Sequence, residues 1–353
     1  MTRWLAIALL LPAAALARAP DGTLDLIKVP HNGRPAVLHA GEAFEAVLES
    51  KAELRLSANG HAIHLAAEWN AFAGNPQRAT CVVPAQTPPA TYALTAETDD
   101  QQDTIARAVF VVRETSESYT FAHVGSFPAQ AAPAPLEAVN ASAAAWALVS
   151  GDAMTGAGYP ALLDALDACA VPTFVVPGEG ARGGGEYERF FGPLPYWFAY
   201  GRNGYLIWDA ERLVHPAVGA TVGRLETARR EIQPLRWRFG ATQRYYPLMS
   251  MRAQLVLFVD NPLDAVFCCV SQAAAQDVGA VSWGATPLLP APGVAEGYLR
   301  LVDVTAAGLQ PHGRPLALVG PGQHGGAFPR EDAPDVARSE RRLRHRRRVD
   351  QDL

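Results

Sequence analysis

The stretch WALVSGDAMTGAGYPALLDALDACAVPTFVVPGEGARGGGEYERFFGPLPYWFAYGRNGYLIWDA, Trp146 to Ala210, decides how this chain folds. It holds three apolar runs, WALVS (146–150), PTFVVP (172–177) and YLIWDA (205–210). The first two end in glycine-bearing corners, Gly151-Asp152 and Gly178-Glu179-Gly180-Ala181, and the segment GYPALLDALDAC between them is amphipathic with helical spacing. Short apolar runs alternating with a helical pattern predict βαβ units. In open α/β sheets the chemistry gathers at the carboxyl ends of the strands, so those two corners are where function is sought first.

Upstream, residues 20–115 read as all-β. TLDLIKV (23–29), AFEAVLES (43–50), AELRLS (52–57), ATCVVP (79–84), ATYALTAET (90–98) and ARAVFVVRE (106–114) alternate apolar with polar residues, and turn residues such as His31-Asn32-Gly33 and Asp99-Asp100 separate them. Asn59-Gly60 marks a tight hairpin, because a type I′ turn needs positive φ at both central positions. Some seven such strands predict an Ig-like or fibronectin-like sandwich. His61 and His64 flank this hairpin, but on a strand their spacing turns them to opposite faces.

The whole chain, 353 residues with 49% hydrophobic and 18% charged residues, suffices for two folded domains. Its formal net charge of −5 argues against wholesale nucleic-acid binding. Four cysteines (Cys81, Cys169, Cys268 and Cys269) form neither a disulfide framework nor a zinc spacing. The N-terminus, MTRWLAIALLLPAAALARA, carries Arg3, an apolar run over Trp4–Leu11 and small residues at Ala17 and Ala19. We read residues 1–19 as a signal peptide, which predicts a periplasmic or secreted protein. No later run suits a membrane span. The end, residues 321–353, is Gly/Pro-rich and then charged; RSERRLRHRRR (338–348) reads as a disordered Arg-rich tail that contacts anionic surfaces nonspecifically.

The central framework resembles the calcineurin-like metallophosphoesterases. It does so through SGD (150–152), VPTFVVPG (171–178), EYERFFGPLPYWFAYG (186–201) and LIWDA (206–210). The resemblance covers about residues 118–309 and implies a phosphoesterase-fold domain over 116–320. That fold is an α/β four-layer αββα sandwich, here behind an N-terminal all-β sandwich as in secreted purple acid phosphatase-like proteins. It also implies a cluster of Asp, His and Asn ligands at five strand ends. Such a cluster holds two ions roughly 3.5–4 Å apart that activate water and clamp phosphoryl oxygens.

The letters at those ends have mostly changed. In the first strand, FAHVGSFP, Ser126 stands where the family has a ligating Asp and Pro128 where it has His, while His123 matches the histidine that precedes the ligands. Asp152 matches the bridging carboxylate. Glu179 replaces the ligating Asn, and Gly180 replaces the His that assists the leaving group. The resemblance lays RAQLVLFVDNPLDAVF (252–267) on the strand ending in His-His-Pro, with Asp260 for the ligand, and DVGAVSWGATPLL (277–289) on the Gly-His-x-His strand, with Ala285 and Pro287 for the imidazoles. Serine is a poor divalent-ion ligand and proline offers no donor.

These substitutions predict a pseudoenzyme without a resident cofactor, keeping the fold for a structural role or for binding a protein or small-molecule ligand. Two alternatives stand beside it. Asp152, Glu179 and Asp260, if they converge, make a set for a single Mn²⁺ or Mg²⁺ and weak phosphatase activity. Otherwise the N-terminal sandwich is the binding module, which an exposed row of aromatic side chains on one strand face would indicate.

Overall fold

The period-two alternation of the first third becomes nine short strands in two sheets. The computed structural model describes residues 26–70, 76–113, 115–125, 132–150, 158–178, 185–214, 219–242, 250–260, 262–268, 282–283, 286–290, 298–311 and 316–317. The expected signal peptide and Arg-rich tail lie outside these. The strands are β1 (Ile27–Val29), β2 (Ala36–His39), β3 (Ala43–Leu48), β4 (Glu53–Ala58), β5 (His61–His64), β6 (Ala66–Trp69), β7 (Gln77–Val82), β8 (Ala90–Glu97) and β9 (Gln102–Val112). One sheet runs β1-β3-β7-β6 and the other β2-β9-β8-β4-β5. Their inward residues, among them Leu48 and Cys81 against Leu56 and Leu94, form one buried core. Asn59 and Gly60 have φ of 51° and 79°, the geometry expected of the β4–β5 hairpin. Strands β2 and β6, four residues each, are too short for alternation to reveal.

The second half builds two six-stranded sheets. The first runs β12-β11-β10-β19-β20, with β21 also on β19. Its strands are β10 (Tyr119–Gly125), β11 (Ala147–Ser150), β12 (Thr173–Val176), β19 (Tyr298–Thr305), β20 (Gly308–Pro311) and β21 (Leu316–Ala317). The second runs β13-β14-β15-β16-β18-β17. Here the strands are β13 (Tyr196–Tyr200), β14 (Asn203–Ile207), β15 (Trp237–Thr242), β16 (Ala265–Cys268), β17 (Ser282–Trp283) and β18 (Thr286–Pro290). Parallel pairing joins β10-β11-β12 and β14-β15-β16-β18. The βαβ reading of the central stretch holds for β11-α2-β12, while its third apolar run, β14, belongs to the other sheet. Helices α1 (Pro133–Ala141) and α2 (Tyr159–Asp167) make the first two crossovers, α3 (Gly185–Phe191) follows β12, and α4 (Gly219–Ile232) and α5 (Met251–Gln254) connect β14 to β15 to β16.

Aromatic rings fill the space between the two sheets. Phe174 of β12 stacks on Phe198 of β13 with centroids 3.5 Å apart, and Trp146 meets Tyr205 of β14 at 4.7 Å. Phe121 of β10 reaches Phe267 of β16 at 5.4 Å. On the far face of the second sheet, Leu206, Trp208 and Val266 pack with Val222, Leu225 and Ile232 of α4 and with Leu257 and Phe258. Arg-rich α4 is thus solvated on one side only, and Arg229 is buried.

Two sequence expectations change. The apolar run 252–259 is not strand: α5 continues as a π-helix over Leu255–Val259, and the strand begins only at Ala265. Ser250 caps this helix by accepting a hydrogen bond from the Ala253 amide at 3.3 Å. Leu257 and Phe258 turn inward while Met251, Leu255 and Val259 turn outward, a helical rather than alternating division. The run 277–289 is also not one strand, because Ser282–Trp283 and Thr286–Pro290 pair antiparallel with each other.

Candidate functional site

Strands β10, β11 and β12 are parallel neighbours in register, with Gly125 opposite Ser150 and Ser150 opposite Val176. Their carboxyl ends therefore lie side by side, about 5 Å from strand to strand. In sequence, Ser126 follows β10 and Gly151-Asp152 follows β11 immediately, while Glu179 follows β12 after Pro177 and Gly178. Ser126, Pro128, Asp152, Glu179, Gly180 and Ala285 themselves lie outside the described residues. Pro287 sits within β18. Asp260, whose expected partners Asp152 and Glu179 belong to those corners in sequence, is exposed and closes the π-helix ahead of β16. It stands before the amino end of its strand. Asn203 at the start of β14 donates to the Tyr119 hydroxyl at the start of β10, while Phe267 near the carboxyl end of β16 packs on His123 near the carboxyl end of β10, so the two sheets point the same way. Asp260 is therefore at the end of the sheet opposite the carboxyl ends of β10, β11 and β12.

The polar groups nearest the corners are His123 and Ser150, both buried. His123 Nε2 lies 3.2 Å from Ser150 Oγ, which in turn donates to the Val124 carbonyl at 3.3 Å. Their spacing suits a serine–imidazole pair, but the rings of the sheet interface enclose it and no solvent reaches the hydroxyl. Burial, reinforced by the positive charge of Arg300 on β19, holds the imidazole well below its ordinary pKa. His123 is thus neutral in the fold and packs against Phe267.

This sets an expected acid sensitivity. A histidine with a depressed folded pKa favours folding above its unfolded value near 6.5 and withdraws that support as pH falls below it, by about 1.4 kcal/mol per pH unit. Denaturant midpoints between pH 7 and 5.5 should fall in the native protein and stay flatter in His123→Gln. Parallel slopes in the two proteins would place the proton on a different group.

On the second sheet, β14 leads into Trp208 and the buried Asp209. Arg212 Nη1 donates to Glu188 Oε1 at 2.6 Å, its Nε approaches Asp209 Oδ2 at 3.8 Å, and Glu188 Oε1 also accepts from the Leu194 amide at 2.9 Å. A guanidinium balanced by two carboxylates is poorly placed to receive a phosphate. It ties α3 to the end of β14 instead. Sequence reading did not find this network, since its members are distributed over three segments with no common spacing.

His61 and His64 are both exposed on β5, at strand positions of opposite facing. Among the described residues, no three His, Cys, Asp or Glu side chains gather as a metal set. Also among them, the sandwich shows no exposed aromatic row: Phe44, Tyr92 and Phe110 are buried and Trp69 is half-buried.

No family model and no curated protein matches the chain. Among solved structures, an amylomaltase from Corynebacterium glutamicum aligns over 35% of this chain at 10% identity, with a TM-score of 0.20. The chain spans 21% of that enzyme. A titin M10–obscurin-like 1 Ig complex aligns over 23% of this chain and 89% of its own at 16% identity, with a TM-score of 0.17. Similarities this weak carry no argument about fold or activity. Among the described residues no helix is long and apolar enough to cross a membrane.

Proposed function

We propose that this is an exported protein with a phosphoesterase-like αββα domain that has lost dinuclear-metal catalysis and keeps the scaffold for binding or structure. The observation that supports this reading is the pairing of two facing sheets that contain parallel strands with changed letters at the expected corners. Two facing sheets, one parallel over β12-β11-β10 on one side and the other parallel at its centre, point their parallel strands the same way. Strand order also moves two of the corners. On this reading, strands taken in chain order after β14, namely β15 and β16, lead in sequence into QRYYPLM (243–249) and CVSQAAA (269–275). Neither register supplies an imidazole. Two-metal hydrolysis needs several such ligands, because without the ions no hydroxide forms near neutral pH and the charge on the phosphoryl group is not neutralised.

The residual single-ion alternative loses support with Asp260, since Asp152 and Glu179 alone leave most of a hard cation's six or more oxygen positions to water. Incubating the full-length protein with Mn²⁺, Fe²⁺ or Zn²⁺, desalting it and measuring bound metal tests the reading. The expected result is far less than one ion per chain, unchanged by Asp152→Asn. Near-stoichiometric metal that disappears in Asp152→Asn would overturn it.

A further inference from the structure

Arg107 has φ of +53°, a conformation that residues with a Cβ seldom adopt, in the middle of a strand. The strain has a local origin. Between the pairs Tyr92–Val109 and Leu94–Ile105, one residue of β8 faces three of β9, so β9 carries a bulge at Ala106–Ala108. Bulges re-aim side chains, and this one turns Arg107 out of the sandwich toward the second half of the chain. There its Nε donates to the Asp167 carbonyl at 2.6 Å. Beside it the buried Asn32 amide donates to the Leu163 carbonyl at 2.9 Å and to Asp167 Oδ1 at 2.6 Å.

All three acceptors belong to the last two turns of α2, and that helix has no basic residue of its own in its last turn. Helix carboxyl ends leave carbonyls unsatisfied and carry partial negative charge. The sandwich thus supplies a donor and a cation to the end carbonyl of Asp167, and a second donor to Leu163 one turn earlier and to the Asp167 carboxylate. Its contact continues onto the edge of β12, where the Val175 amide donates to the Gly33 carbonyl at 2.9 Å. Arg34 then donates to the Pro193 carbonyl at 2.9 Å and lies 4.3 Å above the Tyr196 ring.

We infer that the Arg107 bulge and Asn32 form a built-in lock: the sandwich caps α2 and fixes this helix, the crossover from β11 to β12, acting as a positioning element rather than a tethered binding module. The strain at Arg107 gives a test with opposite outcomes. In the full chain, Arg107→Gly relieves the backbone strain while removing the guanidinium. If the lock is real, hydrogen exchange in peptides covering residues 163–176 accelerates about tenfold, the factor expected for a lost charge-assisted hydrogen bond, and thermal unfolding separates into two steps. Asn32→Asp, which sets a second carboxylate against Asp167, should show the same signature, relieved by adding Asp167→Asn. A single transition at a higher midpoint with unchanged exchange would overturn the lock. So would a lowered midpoint with no selective acceleration in residues 163–176.

Discussion

Replacing Trp146 with alanine is expected to lower the unfolding free energy by about 4 kcal/mol, the range for deleting a large aromatic from a core. The indole is fully buried and sits where the two six-stranded sheets meet. It stacks on Phe121 at 4.2 Å and 6°, and edge contacts to Phe174, Phe198 and Tyr205 draw on both sheets. Each ring pair adds up to about 1.5 kcal/mol beyond area burial, so the loss is not confined to one side of the interface. Its backbone also takes part, since the Ala122 amide donates to the Trp146 carbonyl at 3.0 Å. Total stabilities run about 5–15 kcal/mol, so the alanine variant would be close to unfolding. Trp146→Phe, which keeps the stacking face, gives a measurable companion at roughly 1–2 kcal/mol. Urea denaturation decides the matter. A loss under about 2 kcal/mol for the alanine variant, with an unchanged denaturant slope, would mean that the sheets are held together elsewhere.

What the sequence revealed, it revealed through local periodicity. VS and VV runs separated by Leu162, Leu163 and Leu166 can only place a helix between two buried parallel strands, and β11-α2-β12 followed. Asn59-Gly60 fixed its hairpin because the backbone there tolerates few other residues. The run RAQLVLFV misled because β-branched and apolar residues without polar interruption look alike in a buried strand and in a helix held against a core. Only Ser250 before it and the position of α4 beside it settle the choice, and the change removes Asp260 from the corners. His31-Asn32-Gly33 read as an ordinary turn. Its partners at Leu163, Asp167 and Val175 are more than a hundred residues away, so no local pattern could announce them. The same holds for Arg300, which faces His123 only because β19 pairs with β10. At the corners, residue identity was legible and argued loss of ligands. Which corner belonged to which strand was a matter of topology.

Gly240→Ala is expected to cost about 3 kcal/mol, at the upper end for overpacking, and to loosen the corner end of the second sheet. Gly240 lies in the middle of β15, between Leu206 and Val266. A methyl group there would sit 2.4 Å from Trp208 Cζ3, 2.5 Å from Cη2 and 2.9 Å from Leu263 Cδ1. Real carbon contacts need 3.5 Å or more, so roughly an ångström must be found. The indole cannot yield cheaply, because Trp208 is buried against α4. Moving it also moves Asp209, the next residue, and with it the Arg212–Glu188 link that ties α3 to the end of β14. The glycine therefore sets where the strand ends, and not only how tightly the sheet packs. A double-mutant cycle with Trp208→Leu separates the two causes. Steric conflict predicts coupling of at least about 1 kcal/mol, the leucine restoring part of what the methyl group removes. Additive effects, or a Gly240→Ala variant as stable as the native protein, would show that the strands shift to accommodate the methyl group and that Trp208 does not position the corner.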